Sequence, residues 1–371
     1  MSAIHSDDLS VVAQMRDEEG VLSCYVTVDP EQEAAGRPWE RKLFEGLGAV
    51  VPARLDELLP TLEPRLRELA DGATPGRGRA LFAGLRSGEI RTVRTQAPLG
   101  HCVVLDESPY LLPLVKAYGT ADPAGVVAVT AHGVRVLDER RGFLNPVAEL
   151  RHEPPADETA GAAGNDRDER DDRRRRWQEH LDRFLAEAAG RVSAVTEASG
   201  WRHLVVTGEP ELVAAFAEGL TGPARHRLVT AHRTVPESLP PGRIAGLVAD
   251  EMRDARRARQ EALVRAAVDT ALGRGPAVRG LSDTLALLAE GRVRHLLIDA
   301  SAHWPGHRDD RGRLWADPER PADLPGLRAE ADLPERMVEL AYRTGAEVTL
   351  LDPAVAGPLS DADGVAALLR W

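Results

Sequence analysis

Residues 151–195 read RHEPPADETAGAAGNDRDERDDRRRRWQEHLDRFLAEAAGRVSAV, and the stretch changes character at Trp177. Arg151 to Arg176 reads as a loop: Pro154-Pro155, then Gly161-Ala162-Ala163-Gly164-Asn165, then an acid-rich run from Asp166 to Asp172, then Arg173, Arg174, Arg175 and Arg176. From Trp177 onward, Leu181, Phe184, Ala188, Val192 and Val195 recur at spacings of three and four, which predicts an amphipathic helix with one buried face. The loop has almost nothing to bury. Long loops of that kind in a compact domain bind something or stay disordered. The rest of the chain reads as a scaffold for it.

Upstream of the loop, Gly125–Thr130 and Val134–Asp138 flank Ala131-His132-Gly133, a hairpin signal, and Leu144–Leu150 adds a third strand. Downstream, Gly200 ends the helix, Arg202–Thr207 reads as a strand and Glu209–Leu220 as a helix. Before this segment, Leu22, Cys24, Val26 and Val28 alternate as a half-buried strand. A helical pattern runs from Trp39 to Leu69, with Pro52 dividing it, and Arg79–Leu85, Glu89–Arg94 and His101–Leu105 read as short strands. After Pro240-Pro241-Gly242, the pattern predicts one long helix over Ile244–Leu272. Helix Leu281–Glu290, strand Val293–Asp299, helix Pro334–Arg343 and strand Ala346–Leu351 follow, with a loop over His303–Leu333. The expected fold class is α/β, in three domains: 1–120, 121–241 with the charged loop 151–176, and 242–371.

Composition narrows the function classes. The 371 residues carry a formal net charge of −12, spread evenly along the chain, so no domain is a basic nucleic-acid module by bulk charge. Any RNA contact must be local, and Arg173–Arg176 are the leading candidates, through charge-assisted contacts to phosphates. The competing reading is a solvated turn in which those arginines pair with Asp166, Asp168, Asp171 and Asp172. No run approaches the ~20 apolar residues of a membrane span, no signal peptide is evident, and the expectation is a cytoplasmic protein with no membrane or DNA partner. Cys24 and Cys102 lie in strand-like stretches and read as packed free thiols. His303, His307, Asp309 and Asp310 share one loop at no recognised metal spacing, and neither metal nor cofactor is expected.

Three segments taken together carry a resemblance. The first is Gly78-Arg79-Ala80-Leu81-Phe82-Ala83 with Asp106-Glu107-Ser108-Pro109-Tyr110-Leu111-Leu112-Pro113-Leu114. The second is the Val126–Asp138 hairpin followed by a long loop and helix. The third is Leu281–Leu285 with Glu290-Gly291-Arg292-Val293, Thr344-Gly345-Ala346-Glu347-Val348 and Gly364–Leu369. In this order they resemble bacterial members of the archaeo-eukaryotic release factor superfamily, relatives of the eukaryotic peptide-release factor, Pelota and Balon. The resemblance implies a variable N-terminal domain, a ribonuclease-H-like middle domain and a C-terminal α-β-α sandwich like small RNA-binding ribosomal proteins. It also implies a ribosome-associated translation factor acting in rescue, quality control or hibernation, with rRNA, tRNA and a translational GTPase as partners.

Active release factors carry a Gly-Gly-Gln loop, whose glycines let backbone approach peptidyl-tRNA and whose glutamine places a water. The equivalent loop here has no Gly-Gly pair. Gly161, Gly164 and Asn165 are its weak catalytic candidates, and Gln178 falls in the helix. The expectation is a factor without peptide-release activity. The alternatives are a peptidyl-tRNA hydrolase with a divergent loop and a binding scaffold that has left the ribosome.

Overall fold

The computed structural model describes residues 7–28, 38–50, 55–69, 71, 76–119, 122–140, 142–153, 167–231, 233, 236, 239–317 and 326–371. The chain is α/β and forms two compact units, one from Met1–Thr120 with Arg257–Trp371 and one from Ala121–Arg256.

The N-terminal segment runs α1 (Asp7–Ala13), β1 (Val21–Thr27), α2 (Pro38–Val50), α3 (Leu55–Leu69), β2 (Gly78–Gly84), β3 (Ile90–Thr95), β4 (Cys102–Asp106) and α4 (Leu112–Gly119). Its strands form an antiparallel sheet in the order β3-β2-β1-β4. Alternation along β1 sorts the side chains by face. Leu22, Cys24 and Val26 pack with Leu43, Leu47, Leu62, Leu66 and Leu69 of α2 and α3, while Val21 and Tyr25 belong to the core on the other side. Cys102 stands opposite Tyr25 in register, so the two cysteines point to opposite faces. Both are free thiols, as expected, and burial pushes the Cys24 thiol up to about 12.

The middle segment runs β5 (Ala124–Thr130), β6 (Gly133–Arg140), β7 (Phe143–Arg151), α5 (Arg167–Ala198), β8 (His203–Gly208), α6 (Pro210–Glu218), α7 (Gly222–His226), β9 (Leu228–Ala231) and α8 (Pro241–Leu247), then enters α9 (Ala249–Leu272). The sheet order is β7-β6-β5-β8-β9, antiparallel through the hairpins and parallel at β5-β8 and β8-β9. β5 is buried on both faces. Val127 and Val129 meet Leu181, Leu185, Ala188 and Val192 of α5, whereas Val126 and Ala128 meet Ile244, Val248 and Met252. Trp201 is fully buried, and a Cβ at Gly125 would lie 2.2 Å from its ring. Its indole Nε1 donates to Asp138 Oδ1 at 2.5 Å. Where the sequence pattern suggests one helix over 244–272, Val248 takes φ −108° and ψ 11° and separates α8 from α9.

The C-terminal segment continues with β10 (Ala277–Arg279), α10 (Leu281–Ala289), β11 (Val293–Asp299), β12 (Gly306–Arg308), β13 (Leu314–Ala316), β14 (Arg328–Glu330), α11 (Leu333–Arg343), β15 (Glu347–Leu351) and β16 (Val365–Leu369). Its main sheet has the order β10-β16-β11-β15, with β11 and β15 parallel across the α11 connection. The stretch expected as loop, His303–Leu333, instead holds the three-stranded sheet β13-β12-β14. Strands of three residues are too short for an alternating pattern to show.

The N- and C-terminal segments share one core, in which Tyr25, Phe82, Leu111 and Leu114 pack with Leu296, Met337, Val338 and Leu350. A buried carboxylate ties them. Glu335, 6% exposed, accepts the N–H groups of Leu111 and Leu112 through its two oxygens, each at 2.7 Å. These are the otherwise unpaired donors at the start of α4, and burial pushes the Glu335 carboxyl up to about 8. Next to it, Arg336 bonds to Asp106, Glu330 and Glu339, and Glu107 holds Arg308 and Arg328. Glu335→Ala leaves two buried amides without acceptors and should cost about 1–3 kcal/mol for each. Glu335→Gln keeps one acceptor and should cost less. Denaturant unfolding of the full chain checks the order wild type, Gln, Ala; equal midpoints would show that this joint holds nothing.

Candidate nucleic-acid interface

Helix α5 has 32 residues and is therefore about 48 Å long at 1.5 Å per residue. Only its C-terminal part has an apolar face. Leu181, Leu185, Ala188, Ala189 and Val192 are buried, with Trp177, Phe184 and Val195 partly buried beside them. Toward the N-terminus, the same face carries Gln178 and then Arg174, both exposed. Gln178 donates to Asp182 across one turn at 2.9 Å. Without an apolar face to bury, the first turns of α5 project as a polar arm.

This corrects the reading of Arg151–Arg176 as loop throughout, since the helix already begins at Arg167 and the arginine run lies within it. The missed signal is charge spacing. Glu169, Asp171 and Asp172 precede Arg173, Arg175 and Arg176 by four residues, with the acid on the N-terminal side. That order places acids toward the N-terminal end of the helix, where its dipole favours them.

Arg174, Arg175 and Arg176 are exposed and Arg173 is half-buried. Arg176 Nε reaches the backbone oxygen of Asp172 at 3.4 Å. Asp171 and Asp172 hold none of Arg174, Arg175 and Arg176 in an ion pair, and among the described residues no other carboxylate does. Three exposed guanidinium groups thus stand within one turn of helix, without carboxylate partners among the described residues. Gly161, Gly164, Asn165 and Asp166 lie outside the described residues.

The arm leaves the domain at an aromatic neck. His152, just beyond β7, donates its backbone N–H to His132 O at 2.8 Å, and its Nδ1 lies 3.1 Å from Ala131 O, which requires a proton on that nitrogen. Its ring is 5.1 Å from Phe184 and 6.2 Å from Trp177, edge-on to the latter. Trp177 is the anchor its helical spacing predicts. His152 carries no periodic signal, because its contacts come from the hairpin tip and the helix together. At that tip, Thr130 Oγ1 accepts the N–H of Gly133 at 3.1 Å. A cleft of about 410 Å³ beside the neck is lined by Glu149, Arg151, Phe184, Glu187 and Arg191, with Arg151 on Glu149 and Arg191 on Glu187.

The histidines singled out in 303–310 go elsewhere. His303 lies 3.1 Å from Asp332 and His307 3.0 Å from Asp317. Among the described residues, no three His, Cys, Asp or Glu are grouped to hold a metal ion, and no helix is long and apolar enough to cross a membrane.

Residues 109–253, which contain the hairpin, the neck and α5, match the model of bacterial archaeo-eukaryotic release factor family 10. Over that segment the chain is similar to the bacterial branch of the archaeo-eukaryotic release factors. Among solved structures, it is similar to the archaeal translation termination factor aRF1, at 18% identity, with 99% of each chain covered and a TM-score of 0.26. Archaeoglobus fulgidus Pelota matches at 13% identity over 98% of this chain and 92% of its own, with a TM-score of 0.36. Saccharomyces cerevisiae Dom34 matches at 8% identity over 79% and 80%, with a TM-score of 0.42. No curated protein matches the sequence.

If the neck fixes the arm, Trp177→Ala should leave the domain folded but raise amide exchange across residues 171–180 by tenfold or more, a loss of about 1.4 kcal/mol of local protection. Hydrogen exchange with mass detection measures this; unchanged protection would mean that the arm is held by something other than the ring contacts.

Proposed function

We propose that the chain is a ribosome-associated translation factor whose middle unit presents the α5 arm to RNA and does not release peptides. The observation that carries the reading is the coincidence of two features. The segment matched to the release-factor family is also the one that projects Arg174, Arg175 and Arg176, exposed and without carboxylate partners among the described residues. Guanidinium groups are matched to phosphate geometry and bind it through two parallel N–H donors. Placed on a helix rather than a loop, they lose little additional freedom on binding. In this reading the middle unit is the ribonuclease-H-like domain, residues 242–371 hold the ribosomal-protein-like one, and the protein works in the cytoplasm.

The chemistry of the sequence argues against peptide release. Gly161 and Gly164 are separated by two alanines, so no adjacent pair lacks Cβ where backbone must approach the terminal adenosine. Asn165 is one methylene shorter than glutamine, and Asp166, Asp168, Asp171 and Asp172 would carry negative charge toward an RNA-lined cavity. Positioning a water in line tolerates displacements of well under 1 Å.

The test is co-sedimentation with ribosomes through sucrose gradients, from growing and from stationary-phase cells, over a range of salt. Association should fall with salt, because each phosphate contact releases counterions. Replacing Arg173, Arg174, Arg175 and Arg176 together by alanine should weaken association and flatten the salt slope, by about 0.7–0.9 for each phosphate no longer held. Association that the quadruple variant leaves unchanged would return the run to a solvated face. A wild type that never co-sediments would favour a scaffold unconnected with the ribosome.

A further inference from the structure

Strand β3 carries Thr92 and Arg94 on the face of the N-terminal sheet that α3 covers. In register, Thr92 stands opposite Leu81 and Arg94 opposite Arg79, and Leu81 packs under α3 with Leu69. Arg79 is 1% exposed, and its guanidinium donates to the carbonyls of Leu69, Asp71 and Gly76, at 2.5, 2.7 and 3.2 Å. It closes the C-terminal end of α3, where free carbonyls and the helix dipole favour a cation.

Arg94 is in a different position. Among the described residues its side chain has no hydrogen-bond or ion-pair partner, and its Nε is sealed from solvent. Like charges directly opposite one another on a sheet repel. A donor buried without an acceptor also loses its hydration and gains nothing in return. An anion against the outer nitrogens of the Arg94 guanidinium offsets the repulsion.

The space for one is present. A cleft of about 210 Å³ is lined by Arg65, Glu68, Leu69, Ile90, Thr92 and Arg94. Sites for whole small molecules run from about 300 to 1,000 Å³, so this cleft suits one anionic group rather than an entire ligand. Arg94 offers a planar fork and Thr92 an exposed hydroxyl. Arg65 brings a second guanidinium, held 3.2 Å from Glu68. The Glu68 carboxylate lines the same cleft and opposes an incoming anion.

We infer that this cleft between α3 and β3 binds a phosphate group, with Arg94 as its principal ligand and Arg65 and Thr92 completing the site. The site stands independently of the translation reading. The phosphate can belong to a small phosphorylated solute or to a nucleic-acid backbone, and two probes separate these sources.

Isothermal titration of the full chain with inorganic phosphate, and separately with a short single-stranded RNA, tests it. Arg94→Met keeps the stem of the side chain and should weaken binding at least tenfold. Glu68→Gln keeps the shape, removes the opposing charge and should tighten binding severalfold. Arg94-dependent binding of phosphate assigns the site to small solutes, and of RNA alone to a nucleic-acid backbone; either supports the site. Absence of binding by both probes overturns the inference, as does Arg94→Met binding like wild type. Thermal unfolding checks that the variants are folded, and if Arg94→Met is not, an affinity unchanged in Glu68→Gln overturns it instead.

Discussion

The structure of the middle unit depends on where the apolar face of one helix stops. From Leu181 to Val192, α5 buries leucine, alanine and valine against the sheet. One turn earlier the same face carries Gln178, and one turn before that Arg174. Burial of a leucine side chain contributes about 1.5–3 kcal/mol, and nothing comparable is available to Gln178 or Arg174. The helix therefore stays on the domain up to Trp177 and leaves it beyond. Its continuation must be supported locally, by acids near its N-terminus that the helix dipole favours. One sequence feature thus produces both the packed scaffold and the exposed basic surface.

Much of this is legible in the sequence, because burial on a regular element leaves a period. The alternation at Leu22, Cys24 and Val26 and the three-and-four spacing from Trp177 each correspond to elements of the structure. α2 ends at Val50 and α3 begins at Leu55, while Pro52, to which the sequence pattern assigns the division, lies outside the described residues. The illegible parts have physical reasons. The arm reads as loop in the sequence because apolar periodicity cannot report a helix that buries nothing. The small sheet β13-β12-β14 has three residues per strand, fewer than two periods of alternation. His152, Glu335 and Arg94 take their roles from residues distant in sequence; Glu335 meets Leu111 across 224 positions.

The same contrast separates the charged residues by role. Arg79 and Glu335 are buried, Arg336 is half-buried, and all three are satisfied, so they belong to the architecture of the unit that joins the two ends of the chain. Breaking such groups is costly because the remaining partner is left dry. Arg174, Arg175 and Arg176 cost nothing to keep in water, and the fold gives them no acid among the described residues. In a chain of net charge −12, unpaired arginines gathered on one projecting turn are a local exception to the surrounding field.

The claim at the centre is that a release-factor-like chain holds RNA without opening the peptidyl-tRNA ester. It is tested most directly by adding the purified full chain to ribosomes stalled with labelled peptidyl-tRNA, at concentrations where it co-sediments with them. The expected result is bound protein and no peptide released above the spontaneous rate. Release that depends on the protein and disappears in Asn165→Ala would contradict the claim and make the chain a peptidyl-tRNA hydrolase.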